Sequence, residues 1–223
     1  MDVVIAGGHG KIALRLERLL AGRGDTVTGL IRRAGQAGAL EALGARPVLC
    51  DLEAVAAAEL AEVLRGADAV VFAAGAGPSS GSARKESVDR GAAALLADAA
   101  ELAGVRSYLM ISSMGLGAAE TDAVDEEFRV YLRAKAAAEE DLRSRAGLEW
   151  TVLRPGVLTD SPGGGSVRLA EPPVPMGEVS RDDVAAVLLA LLDAGPAVAG
   201  LTLELTVGGV GVTAAVEALT RGA

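Results

Sequence analysis

The chain opens with an apolar run, Val3-Val4-Ile5-Ala6, that stops at Gly7 and Gly8 and passes at once into a helical pattern. Over 11–22 the residues Ile12, Leu14, Leu16, Leu19 and Leu20 predict a helix with a broad apolar face, closed by Gly22 and Gly24. The alternation then repeats. The pattern predicts strands over 26–31, 46–50, 67–74, 106–112 and 148–153, and helices over 36–43, 53–65, 83–103 and 125–146. A glycine-rich loop is expected over 75–81 and a second loop over 113–124. Strands that are apolar throughout, separated by helices and short loops, predict a parallel sheet covered on both faces. The expected fold class is α/β, a doubly wound parallel sheet of the Rossmann kind.

Past Arg154 the texture changes. Pro155, Pro162, Gly163-Gly164-Gly165 and Pro172-Pro173-Val174-Pro175 interrupt the alternation. Ser180 reads as the N-cap of a helix running to Leu192, followed by a strand over 201–207 and a closing helix over 212–219. The chain therefore reads as one domain, 1–223, with an alternating core over 1–153 and a small C-terminal portion over 154–223 where a lid or substrate contacts are expected. The loops at 163–165 and 172–175 are expected to line the substrate pocket.

Charge and composition remove several classes of function. A formal net charge of −9 counts against nucleic acid and against an anionic membrane as partners. No stretch is long and apolar enough to span a bilayer, and the N-terminal strand leaves no room for a signal peptide. The single Cys50 cannot form an internal disulfide, which fits a reducing cytoplasm. One histidine and one cysteine cannot build a closed N/S metal site, so no metal is expected. A serine–histidine–carboxylate triad would have to use His9, which lies inside the first turn. Phe72, Tyr108, Phe128, Tyr131 and Trp150 are the only aromatics, leaving two candidates for a functional phenol.

The strand–glycine–helix junction is the arrangement that binds a pyrophosphate. In Gly7-x-x-Gly10-x-x-Ala13, Gly7 permits the turn, Gly10 lets the backbone approach phosphate, and Ala13 lets the helix pack closely. Gly7, His9, Gly10, Lys11 and Ile12 are the expected phosphate-side residues. Arg32 and Arg33 follow the second strand where the adenosine ribose would lie. With no acidic residue at the strand's end, they suit a 2′-phosphate and favour NADP(H) over NAD(H); the alternative is a solvated surface pair. Asp51 and Leu52 follow the third strand, either to touch the adenine edge or, for Asp51, to cap the next helix. Ala73, Ala74 and Gly75 leave room for the middle of a cofactor, or simply end a packed strand. The fifth strand ends in Ser112-Ser113, and Tyr131 and Lys135 stand four apart on one helix face. An ammonium beside a phenol lowers its pKa and makes it a proton donor or acceptor, and a serine hydroxyl can hold a carbonyl or alcohol oxygen. The bland alternative is a packed tyrosine beside a solvated lysine. Pro155-Gly156 either shapes a nicotinamide pocket or ends the sixth strand.

In this order the pieces resemble the short-chain dehydrogenase/reductase superfamily, in its atypical branch related to epimerase/dehydratase-like and NmrA-like proteins. The resemblance covers essentially the whole chain. It rests on Gly7–Ala13, Asp51-Leu52, Phe72–Gly75, Tyr108–Ser113, Tyr131–Glu139, Trp150–Gly156 and Val179–Ala185. It implies a nicotinamide cofactor across the strand ends, with Tyr131 as acid/base, Lys135 on the nicotinamide ribose and Ser113 orienting the reacting oxygen. The implied activity is NADP(H)-dependent oxidoreduction of a small carbonyl or alcohol substrate. An NADP(H)-sensing binding protein and an epimerase or dehydratase are the alternatives. Ala13 replaces the third glycine of the pattern, and the C-terminal part is shorter than in sugar-nucleotide epimerases. A monomer or a homodimer is expected, with the helices over 83–103 and 125–146 as the dimer face.

Overall fold

The computed structural model describes residues 1–75, 85–120 and 124–221. The first half runs β1 (Asp2–Ala6), α1 (Lys11–Gly22), β2 (Thr26–Ile31), α2 (Ala37–Glu41), β3 (Arg46–Leu49), α3 (Ala57–Leu64) and β4 (Ala69–Phe72). A π-helical segment, Lys85–Gly91, leads into α4 (Ala92–Ala103), followed by β5 (Ser107–Ile111), α5 (Glu126–Arg143) and β6 (Glu149–Pro155). The chain then gives β7 (Val157–Thr159), β8 (Ser166–Ala170), β9 (Glu178–Ser180), α6 (Arg181–Ala194), β10 (Thr202–Val207), β11 (Val210–Gly211) and α7 (Val212–Thr220).

Nine strands form one sheet in the order β11-β8-β10-β6-β5-β4-β1-β2-β3. From β3 to β10 every pairing is parallel, and β8 and β11 extend that edge antiparallel. The order 3-2-1-4-5-6 reverses direction between β1 and β4, so the strand ends there open a crevice. The expected doubly wound α/β fold is present. A strand's period of two divides each apolar run between the two faces. Val3, Ile5, Val71, Leu109 and Leu153 meet α1, α6 and α7 on one side. Val4, Ala6, Val70, Phe72, Tyr108, Met110 and Val152 meet α3, α4 and α5 on the other.

Several boundaries differ from the pattern, each for a local reason. The helix expected over 53–65 begins at Ala57, because Asp51 first closes a turn. Its carboxylate accepts the Glu53 N–H at 3.1 Å and its carbonyl accepts those of Ala54 and Val55. The helix expected over 83–103 is wound as a π segment before it becomes α-helical at Ala92; residues 83 and 84, and 76–81 of the expected loop, lie outside the described residues. On α1 the fully buried stripe is Ala13, Leu16, Glu17 and Leu20, with a carboxylic acid where the pattern suggested only leucines. The C-terminal part holds more strand than expected: β8 and β11 join the main sheet, while β7 and β9 pair with each other. No helix among the described residues is long and apolar enough to cross a membrane.

Buried carboxylates tie the later elements together. Glu139 of α5, fully buried, accepts from Arg154 Nε and Nη2 of β6 at 2.9 and 2.6 Å, and from Arg143. Asp183, in the first turn of α6, accepts the backbone N–H groups of Gly164 and Gly165 at 3.0 and 2.8 Å and the Ser180 hydroxyl at 2.8 Å. Ser180 caps α6 as expected, its hydroxyl oxygen accepting the Asp183 N–H. Glu204 of β10 accepts the Val174 N–H at 2.7 Å and so fixes the proline-rich loop. Removing one member of a buried pair leaves the other charged and unpaired. Glu139→Ala should therefore lower the unfolding free energy in urea by about 3–5 kcal/mol. Glu149→Ala, which breaks the surface pair with Arg106, should cost about 0–1 kcal/mol.

Candidate functional site

The site is built outward from the turn between β1 and α1. Gly7 has φ +82°, and a Cβ there would lie 2.7 Å from Ala74 Cα, so this turn and the end of β4 approach too closely for any side chain. The Gly8 N–H donates to the Leu30 carbonyl at 2.9 Å and pins the back of the turn to β2. Gly10 is the N-cap of α1 and supplies no capping side chain, which leaves the first N–H groups of the helix open at their outer end. In front of this turn lies a cleft of about 230 Å³. Nine of the expected residues line it: Gly7, His9, Gly10, Arg32, Asp51, Leu52, Ala73, Ala74 and Gly75. Open helix N–H groups, bare glycine backbone and a flanking guanidinium fit the phosphates and adenosine half of a dinucleotide.

The Arg32 side of the cleft is organised by Glu53. Its carboxylate lies 3.5 Å from Arg32 Nη1 and accepts the Ser87 hydroxyl at 2.6 Å, linking the ends of β2 and β3 to the π segment. Arg32 lines the cleft, but Arg33 does not: its N–H donates to Gln36 Oε1 as the chain enters the turn before α2. Leu30, Ile31, Gln36, Cys50, Glu53 and Val88 line the cleft without having been expected. Burial raises the Cys50 thiol above its ordinary range, helped by Glu59 and Asp51.

The second group of expected residues gathers at the end of β5, outside the cleft's lining. Lys135 is almost fully buried. Its Nζ lies 3.1 Å from the fully buried carboxylate of Asp89 and donates to the Ile111 carbonyl at 3.2 Å. The ammonium stands 5.9 Å from the Tyr131 ring centre and 5.5 Å from that of Phe72. Tyr131 in turn stacks on the half-exposed Phe128, with ring centres 5.6 Å apart. Ser112 is buried, its N–H donating to Leu153, and Ser113 Oγ donates to the Met114 carbonyl at 3.0 Å. The other phenol is spent on structure. Tyr108 is sealed in the core, its hydroxyl donates to the Ala93 carbonyl at 3.2 Å, and burial raises its pKa far above that of a free phenol.

The remaining expected residues carry structural ties. Lys11 Nζ donates to Asp160 at 2.6 Å, and Asp160 also accepts from Arg181, so this lysine joins α1 to the C-terminal part. Arg15 does the same through Asp182 at 2.5 Å. Ile12 packs half-buried in the first turn of α1. Gly156 donates its N–H to Leu205 at 2.9 Å, and a Cβ there would collide with the Gly177 carbonyl that receives the Val157 N–H. Pro155, buried at the end of β6, accepts the Met114 N–H at 3.0 Å and so holds the strand end next to Ser113.

Residues 7–195 match the NAD(P)H-binding family, from the glycine turn to the end of α6. The chain belongs to that family. It is 37% identical over 194 residues to a Bacillus subtilis protein named uncharacterized sugar epimerase YhfK, covering 86% of this chain and 88% of that one. A solved structure from Bacillus halodurans, provisionally named an NAD-dependent epimerase/dehydratase, superposes with a TM-score of 0.88 at 30% identity, over 98% and 99% of the two chains. ChuY of Escherichia coli O157:H7, described as an anaerobilin reductase, superposes at 0.78 with 25% identity, over 92% and 97%.

Two buried acids of this NAD(P)H-binding protein escaped the sequence reading. Asp89 falls in helical register with Ala92, Ala93 and Leu96, so an acid stands on an otherwise apolar stripe. Glu17 does the same on α1, between Leu16 and Leu20. Glu17 is fully buried, and neither carboxyl oxygen has a hydrogen-bond partner among the described residues. Desolvation pushes its pKa up to about 8. An acid whose pKa is higher folded than unfolded keeps its proton preferentially in the folded state. Its contribution to stability is complete below the ordinary value of 4.5 and is lost as pH rises toward about 8. Relative to Glu17→Gln, the wild-type protein should therefore lose a few kcal/mol between pH 5 and pH 8, read from urea unfolding of both proteins across that range.

Proposed function

We propose that the protein is an NADP(H)-dependent oxidoreductase acting on a small carbonyl or alcohol compound, with Tyr131 as its acid/base. The observation that carries this reading is the buried Lys135 ammonium beside the Tyr131 ring, at the strand end that presents Ser113. The other phenol, Tyr108, is sealed away, which leaves Tyr131 for the chemistry. An ammonium held beside the ring is placed to favour the negative charge that develops on the phenol oxygen as its proton moves to the substrate. Asp89 and the Ile111 carbonyl keep the ammonium in place between turnovers. Ser113 would turn its hydroxyl from Met114 to the substrate oxygen and fix it for proton transfer from Tyr131. Arg32, steadied by Glu53, would receive a 2′-phosphate, and the N–H groups at Gly10 the pyrophosphate. The bound dinucleotide supplies or accepts the hydride. The half-buried Cys50 thiol, alone in the chain, suits a reducing cytoplasm.

The name of the Bacillus subtilis relative favours a second reading, epimerisation, in which the nucleotide is used transiently and stays bound. Nucleotide retained through purification supports that reading, and rapid exchange supports the reductase.

Tyr131→Phe should lower NADPH-dependent reduction by about 10²–10⁴-fold while NADPH still binds. The check is cofactor oxidation followed against a panel of quinones, flavins and simple ketones; unchanged turnover of an identified substrate rules out the assigned role. Arg32→Ala should weaken NADPH about 10–100-fold more than NADH, as loss of a charged hydrogen bond implies, measured by fluorescence titration of both nucleotides.

A further inference from the structure

Behind the phosphate turn, Glu17 occupies a slot that two glycines keep open. A Cβ on Gly8 would stand 2.9 Å from Glu17 Oε1, and one on Gly29 would stand 2.5 Å from the same oxygen. The two glycines also face each other, since a Cβ on Gly8 would lie 2.7 Å from Gly29 Cα. The carboxyl is thus pressed on bare backbone of the turn and of β2, with Leu40 of α2 packed beside Gly29. Among the described residues no hydrogen-bond donor reaches either carboxyl oxygen. His9 of the turn faces the cleft, Arg15 is paired with Asp182, Arg18 is exposed on α1, and Arg46 of β3 donates to Thr28.

A neutral carboxylic acid tolerates such a slot far better than a carboxylate does. An ionised Glu17 would draw water between Gly8 and Gly29 and work against the Gly8–Leu30 hydrogen bond that seats the turn. It would also put a negative charge against Gly8, at the back of the turn that must receive the pyrophosphate. Both effects oppose nucleotide binding. We propose that Glu17 is the positioning residue of the phosphate turn, and that dinucleotide binding requires its protonated form. This rests on the dinucleotide reading of the cleft. Nucleotide and proton then bind cooperatively from opposite sides of the same turn, and binding weakens as Glu17 ionises.

The test is NADPH affinity by fluorescence titration from pH 7 to pH 9, where the 2′-phosphate, with a second pKa of about 6, is already at least about nine-tenths ionised. With half-ionisation of Glu17 near pH 8, the wild-type Kd should rise about tenfold across this range. The Kd of Glu17→Gln should stay flat from pH 7 to pH 9, whatever its absolute value. Glu17→Leu, which also cannot ionise, carries the same expectation if the amide does not fold. Calorimetry of the wild-type protein in two buffers of different ionisation enthalpy adds a second readout. At pH 8 about half a proton should be taken up per nucleotide bound, and none by the variant. Parallel pH profiles for wild type and variant, or binding without proton uptake, overturn the proposal while the dinucleotide reading stands. No binding of NADPH or NADH at any pH overturns both.

Discussion

Three backbone segments meet at the first turn with no side chain between them. Gly7 lies on Ala74 at the end of β4, and Gly8 lies on Gly29 in β2. This close approach sets how far apart the strand ends stand, and so sets the width of the cleft. It also aims α1. With the turn clamped on both sides, the open end of the helix can face only the crevice between β1 and β4. A methyl group at Gly7 or Gly8 would have to displace backbone rather than a movable side chain. Most of the site's geometry follows from this contact, which needs four small residues and no specific polar group.

The rest of the site is held by acids placed where water does not reach. Asp89 holds Lys135, Glu139 holds Arg154, Asp183 holds the glycine loop, and Glu204 holds the proline-rich loop. Buried ion pairs contribute little net stability, since desolvation offsets most of the attraction. Their value here is positional. Each carboxylate pairs with or accepts from a group on a different element, so it fixes a distance between elements that apolar packing alone would leave loose. Glu17 stands apart from these four, because nothing among the described residues donates to it.

The order of strands and helices was readable because apolar runs and glycines report it directly. Tyr131 and Lys135 were readable as a pair because a helix places residues four apart on one face, and here the ammonium does lie beside the ring. The buried acids were not, since a charge in a helical pattern is ordinarily assigned to the solvent face. Only its register against neighbouring alanines and leucines marks Asp89 or Glu17 as inward. Ser180-Arg181-Asp182-Asp183 stood out in the sequence, but its use was hidden: the two aspartates receive backbone N–H groups from a loop about twenty residues earlier. Strand β8 alternates in exposure and β11 is two exposed residues long, so neither shows as a continuous apolar run.

The two edges of the nine-stranded sheet differ from its interior in what they offer to another chain. At one edge β3 has only four residues, and Pro47 removes one of its backbone donors. At the other, β11 is two residues long and covers part of β8. A foreign strand laid against either side would find few free amides in register, so the sheet cannot easily be extended from one copy to the next. Protection from edge-to-edge aggregation is thus built into the ends of a sheet whose middle is almost wholly apolar.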